Sequence, residues 1–187
     1  MGSGKGRLFI ISAPSGAGKD TIIDRLLRLQ PDIVLSVSAT TRERRAGETD
    51  GVSYYFMTRE SFRQMIDEGK FLEYAEYVGE YYGTPANPVY EQIKNGKKVI
   101  LKIEVQGAKQ VVALEPDTVT IFIVPPDLEE LERRLRKRGT DSEEKLRARV
   151  EKASLEMEES VHYKHVVVND DLDRAINEVL SIINSYQ

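Results

Sequence analysis

Cysteine and tryptophan are absent from these 187 residues, and histidine occurs only twice, at His162 and His165. Without thiols there is no disulfide, zinc finger, iron–sulfur site or cysteine nucleophile. Two histidines are too few for a histidine-rich metal centre. No apolar run approaches the roughly 18–20 residues that span a bilayer. The opening heptapeptide, Met1 to Arg7, has no apolar stretch of the signal-peptide kind and no hydroxyl residue at position 6 to suit myristoylation. The expected location is therefore the cytoplasm. Charge of neither sign dominates: 27 Lys and Arg stand against 31 Asp and Glu, a net charge of -4, which gives no bulk attraction to nucleic acid or anionic membrane. What remains is a globular composition, 40% hydrophobic and 31% charged. At this length it is enough for one domain with a core that needs no staples.

The hydropathy pattern alternates strand and helix. Leu8-Phe9-Ile10-Ile11, Val99-Ile100-Leu101, Val119 to Val124 and His165 to Val168 are short continuous apolar runs, as strands buried on both faces require. Between them apolar residues recur at helical spacing, most clearly Leu172, Ala175, Ile176, Val179, Leu180 and Ile183, with Asp170 or Asp171 available as the cap. Interleaved strands and helices predict an α/β fold with a mostly parallel sheet covered on both faces. The stretch 36–93 breaks the rhythm. It holds seven of the nine tyrosines together with many charges and Gly/Pro punctuation, and reads as an inserted subdomain. A second insertion is expected near 133–142, followed by a long helix over about 142–160 with Leu146, Val150, Ala153 and Met157 on one face.

The most informative segment is Ala13-Pro14-Ser15-Gly16-Ala17-Gly18-Lys19-Asp20-Thr21, which follows a strand and opens a helix. That context is the one a phosphate-binding P-loop requires. Its glycines let backbone N–H groups turn toward phosphate oxygens, the helix N-terminus adds partial positive charge, and Lys19 reaches the β- and γ-phosphates. Two positions depart from the G-x-x-x-x-G-K-[ST] pattern. Ala13 replaces the first glycine, a small change. Asp20 replaces the hydroxyl residue that normally holds Mg²⁺, so a carboxylate stands at the mouth of an anion site, able to hold metal directly or through water. A similar string, Gly2-Ser3-Gly4-Lys5-Gly6, has no strand before it and is read as a chain end.

Further blocks follow in order: Ser36 to Glu48, Gly51 to Phe56, Phe71 to Ala75, Tyr81 to Thr84, Val105 to Ala108, Arg138-Gly139-Thr140, and Val168 to Asp171. In this order and spacing, from about Leu8 to the C-terminus, the set closely resembles the guanylate kinase family. The resemblance implies transfer of the γ-phosphoryl group of ATP to GMP, with Mg²⁺ accompanying ATP. It also implies a P-loop NTPase core over about 7–35, 94–132 and 160–187, a GMP-binding insertion over about 36–93, and a mobile lid over about 133–159, all in the single domain 1–187. No protein, nucleic-acid or membrane partner is implied. The alternative of another class is a non-catalytic module of the same fold that binds phosphoproteins through the phosphate pocket.

Residue by residue, the resemblance gives ATP the loop from Ala13 to Thr21, with Pro14, Ser15, Gly16, Ala17, Gly18, Lys19 and Asp20 between, and adds Arg134 and Asn169. It gives the GMP phosphate Arg42, Arg45, Tyr54 and Tyr82, where planar guanidinium groups suit bidentate contact. It gives the guanine base Glu73, Ser38 and Thr84. A carboxylate accepts from guanine N1–H and the 2-amino group together, and adenine offers neither donor on that edge. Lys19, Arg42, Arg138 and Arg149 are the expected catalytic cations. Glu104 is expected to help with guanine or metal-bound water, whereas Lys102 is given no role, its side chain expected on the other side of the strand. Arg44, Arg133, Arg136, Lys137, His162 and His165 are read as structural or solvated.

Overall fold

The computed structural model describes residues 6–137 and 142–186. In chain order the elements are β1 (Arg7–Ser12), α1 (Lys19–Leu29), β2 (Ile33–Leu35), β3 (Ala39–Thr40), β4 (Tyr55–Phe56), α2 (Arg59–Asp67), β5 (Phe71–Tyr77), β6 (Glu80–Pro85), α3 (Ala86–Lys94), β7 (Lys98–Lys102), α4 (Val105–Leu114), β8 (Val119–Val124), α5 (Leu128–Lys137), α6 (Glu143–Glu158), β9 (His165–Val168) and α7 (Leu172–Ser185).

Five strands form a parallel sheet in the order β2-β7-β1-β8-β9. Successive side chains of β1 point to opposite faces, and both faces are covered. Phe9 and Ile11 pack with Ile22, Ile23 and Leu26 of α1 and with Ala175, Ile176, Val179 and Ile183 of α7. Leu8 and Ile10 pack with Val89 of α3 and with Ala108 and Val111 of α4. This double burial is why the core strands read as unbroken apolar runs. Strand β2 was not expected. Its three residues, Ile33-Val34-Leu35, are too few to show a period, and it finds its place by pairing with β7 at the sheet edge.

The segment 39–85 forms a separate four-stranded sheet, β4-β3-β6-β5, backed by α2. Phe62 of α2 stacks on Phe71 at 4.4 Å and on Tyr81 at 5.4 Å between ring centroids. Helix α3, which begins inside the range 36–93 and ends at Lys94, packs against β7 in the parallel sheet. The two-residue turn Val78-Gly79 has φ of 51° and 78°, the left-handed pair that matches a hairpin's twist. Val78 adopts it at a steric cost, with its side chain in solvent. Two contacts tie this sheet to the core. Leu72 is buried among Leu8, Val99 and Leu101. The Gln110 side chain of α4 donates to the Tyr74 carbonyl at 2.9 Å and accepts from its N–H at 3.1 Å, covering the open edge of β5.

Helices α5 and α6 form a hairpin over the sheet's C-terminal edge, closed by Leu131, Leu135, Leu146 and Ala153. Ser142 caps α6 and Asp171 caps α7. Arg133 and Arg136 are taken up by Glu130, Glu132 and Glu143 on the surface, as a charged helix end should be. His165 shares a 2.8 Å hydrogen bond with Tyr186. Arg138, Gly139 and Thr140 lie outside the described residues.

Candidate active site

The loop after β1 turns at Ala17, whose N–H donates to the Pro14 carbonyl at 3.2 Å, and enters α1 at Gly18. Gly18 has φ of 95°, and a Cβ there would lie 2.4 Å from the Asn169 amide nitrogen. Both facts demand glycine. That amide donates to the Ala17 carbonyl at 2.7 Å, so Asn169, buried after β9, holds the loop from beneath. The Arg134 guanidinium donates to the Asn169 carbonyl at 2.8 Å and to Glu130 at 2.7 Å. From above, Arg149 of α6 donates to Ser15 at 2.6 Å.

Two clefts flank the loop. One, about 350 Å³, is lined by Ala13 to Gly16, Gly18 to Thr21, Lys102, Glu104, Lys152 and Glu156, whereas Ala17, expected with them, is buried in the core. The other, about 440 Å³, is lined by Gly16, Gly18, Thr21, Arg134 and Asn169. Ala13 packs on the core without closing the first cleft. Lys19 is partly buried, and among the described residues its ammonium makes no protein hydrogen bond. Burial pulls its proton affinity down, and Asp20, Glu104 and Glu156 oppose that fall. A partly buried ammonium kept charged by carboxylates at a distance, and with no hydrogen bond to protein among the described residues, is poised for an anion.

Lys102 does not face away as expected. It lines the same cleft, with its Nζ 3.0 Å from Asp20. The last residue of β7 sits at the sheet's C-terminal edge, where side chains fan toward the loop. Glu104, which precedes α4, points into the cleft with Lys152 at 3.7 Å. The buried Ser12 hydroxyl donates to the Ile103 carbonyl at 2.8 Å and fixes the ends of β1 and β7 together.

One turn along α4, beside Gly107, lies a buried polar pair, Glu73 and Thr84. Strand β5 carries an irregularity between Phe71 and Glu73, which brings Glu73 opposite Thr84 of β6. Bulges re-aim side chains in this way. Glu73 is 8% exposed. Thr84 donates to its carboxylate at 2.6 Å. Burial pushes the Glu73 carboxyl up, and the Thr84 hydrogen bonds offset part of the rise. A Cβ at Gly107 would lie 2.7 Å from Oε2, so glycine in the first turn of α4 leaves room for the carboxylate. The Ser38 carbonyl accepts from Tyr55 N–H at 2.9 Å, while its hydroxyl finds no protein partner among the described residues.

The loop after β3 carries the arginines. Glu48 accepts from both terminal nitrogens of Arg42, at 2.7 and 3.1 Å, and from Arg45 N–H at 2.7 Å. These contacts, the Arg42 hydrogen bond first, bring the Glu48 carboxyl down to about 2 and raise Arg42. The Arg42 guanidinium lies over the rings of Tyr54 at 5.4 Å and Phe56 at 5.8 Å, and Tyr82 stands edge-on to Tyr54. The Arg45 side chain is exposed, and among the described residues its guanidinium has no partner. Sequence reasoning gave no part to Glu48, the residue that shapes this loop. Its spacing of six from Arg42 and three from Arg45 was the available signal.

Among the described residues no three of His, Cys, Asp and Glu converge as a metal cage. Asp20 and Glu104 nevertheless put two hard oxygen donors beside the loop. That suits an ion held chiefly by phosphate oxygens and water.

A family model described as guanylate kinase matches residues 5–186. A guanylate kinase of Synechocystis sp. is 51% identical over 179 residues, 96% of this chain and 94% of the relative. One from Carboxydothermus hydrogenoformans is 46% identical over 181 residues, 97% of this chain and 89% of the relative. The crystal structure of guanylate kinase from Anaplasma phagocytophilum matches with a TM-score of 0.77 at 33% identity, covering 98% of this chain and 87% of that one.

Proposed function

This chain belongs to the guanylate kinase family, and we propose that Lys19, Arg42, Arg45 and Glu73 divide the work of its reaction, transfer of the γ-phosphoryl group of ATP to GMP. The protein is a nucleoside monophosphate kinase that yields ADP and GDP. The observation that carries the division of labour is the first turn of α4. Glu104, just before it, lines the P-loop cleft, and Gly107 packs on Glu73. Three residues rise only about 4.5 Å along a helix, so donor and acceptor regions adjoin.

In this reading the β- and γ-phosphates lie on the loop at Lys19, and the nucleoside of ATP enters the cleft beside Arg134 and Asn169. Arg42 and Arg45, with the hydroxyls of Tyr54 and Tyr82, hold the GMP phosphate. Glu73, Thr84 and Ser38 read the guanine edge. A GMP phosphate oxygen attacks the γ-phosphorus. The bond from that phosphorus to the β–γ bridging oxygen breaks, and the oxygen keeps the electron pair and leaves with ADP. Positioning and charge neutralisation supply most of the rate for such a transfer. Magnesium, when bound with ATP, neutralises phosphate charge, and Asp20 and Glu104 are the residues to hold it, directly or through water. Arg149, already against Ser15, is a cation that α6 delivers to the transferring group. The role of Arg138 rests on the resemblance alone. The mobile lid, the cytoplasmic setting and the lack of a protein partner are likewise proposals.

The test is ADP release with ATP and Mg²⁺ against GMP, dGMP, AMP, CMP and UMP. Turnover is expected with the guanine nucleotides, at least about 10³-fold above the other bases in kcat/KM. Comparable turnover with AMP would contradict the assignment of Glu73 and Thr84 to the base.

A further inference from the structure

The residue after the P-loop lysine is ordinarily a hydroxyl that helps hold metal. Here it is Asp20, and a carboxylate at the mouth of a polyphosphate site repels its ligand. Lys102 comes from a different element, the last residue of β7, paired in register with Ile11 of β1. Its Nζ nevertheless lies 3.0 Å from Asp20 Oδ1. Both side chains line the cleft that holds Lys19, and they remain 43% and 74% exposed, so ligand can reach them. The other charged groups facing this cleft are Lys19, Glu104, Lys152 and Glu156. Lys152 is engaged by Glu104 at 3.7 Å and Glu156 at 3.2 Å; Asp20 also acts on Lys19 at longer range, and among the described residues Lys102 is the cation that pairs with it directly.

We propose that Asp20 and Lys102 act as one unit in phosphate binding. Lys102 neutralises Asp20 in the nucleotide-free protein. It becomes a second phosphate-binding ammonium beside Lys19 once Asp20 turns to the metal ion that accompanies ATP. This inference rests on the reading of the loop as the ATP site and adds to it a residue outside the motif. A hydroxyl at position 20 has no need of such a partner, so the unusual residue and its cation belong together.

The test is a double-mutant cycle on the full chain: wild type, Lys102→Met, Asp20→Ser and the double variant. ATP affinity is measured by calorimetry with and without Mg²⁺, and the melting temperature is recorded for each. Without Mg²⁺, Lys102→Met should weaken ATP binding about tenfold and adding Asp20→Ser should restore it to within about threefold, whereas with Mg²⁺ Lys102→Met should weaken binding in both backgrounds because the phosphate contact itself is lost. Asp20→Ala, which offers a cation no side-chain oxygen, should shrink the gain in affinity that Mg²⁺ confers. Lys102→Arg, which keeps the charge and the fold, should bind ATP within about threefold of wild type. Without Mg²⁺ an equal loss from Lys102→Met in both backgrounds, or in either condition an equal loss from Arg and Met, would overturn the coupling. A folded wild type that binds no ATP would overturn the underlying reading of the loop instead.

Discussion

Lys19→Ala should lower kcat/KM for ATP and GMP by on the order of 10³-fold or more while the protein still melts within about 3 °C of wild type. The ammonium follows Gly18 at the first residue of α1 and makes no hydrogen bond to protein among the described residues. It therefore does little for the fold, and alanine is a good helix former in its place. Its partial burial in the loop lowers the local dielectric, which strengthens its attraction for phosphate. Negative charge spreads over the oxygens of the transferring group, and a cation fixed beforehand costs no reorganisation when that charge develops. Most of the loss should fall on kcat, with a smaller rise in the KM for ATP. Steady-state kinetics and a thermal melt together check this. A variant retaining a tenth of the activity would remove Lys19 from the transfer.

Glu73→Gln should reduce kcat/KM for GMP by roughly 10²-fold or more and narrow its margin over AMP. The geometry argues for more than loss of charge. Thr84 donates to Oε1, so a glutamine would turn its carbonyl to Thr84 and leave its NH₂ facing the base. Two donors would then meet the donors of guanine, with no room to retreat because Gly107 packs behind. The same reasoning fixes a pH dependence. Recognition needs the carboxylate, and burial raises the Glu73 carboxyl above the ordinary range, so its protonated form persists to higher pH. Affinity for GMP should be full above that raised value and fall as pH drops through it. Binding should release a proton, because two new donors favour the ionised form. The glutamine variant should lose this acid-side fall. KM for GMP against pH, in both proteins, checks the sign; an affinity rising toward acid would contradict it.

The core strands and α7 were legible in the sequence because each is long enough to show its period and is buried on one or both faces. The P-loop was legible because glycine, lysine and the strand-to-helix context are constrained together. The guanine pocket was legible only through family resemblance, since nothing local marks Glu73 as buried. Its position depends on the irregularity in β5 and on Gly107 from a distant helix. Strand β2 was missed for its length. Lys102 was misread because strand alternation was applied to a terminal residue, whose flexible side chain bends toward Asp20 beyond the last ladder bond. Glu48 and Ser12 went unassigned because their partners become apparent only once the chain is folded. In each case the missing information was a long-range or loop contact, not a propensity.

On this reading ATP and GMP bind side by side along the first turn of α4, and the phosphoryl group passes directly between them. The most direct measurement is a single-turnover reaction with ATP labelled at the γ-phosphorus, quenched on the millisecond scale, with and without GMP. The account predicts label in GDP at a rate at least equal to kcat, none retained on the protein, and only slow release of inorganic phosphate when GMP is absent. Label accumulating on the protein, or released as phosphate as fast without GMP as with it, would contradict direct transfer.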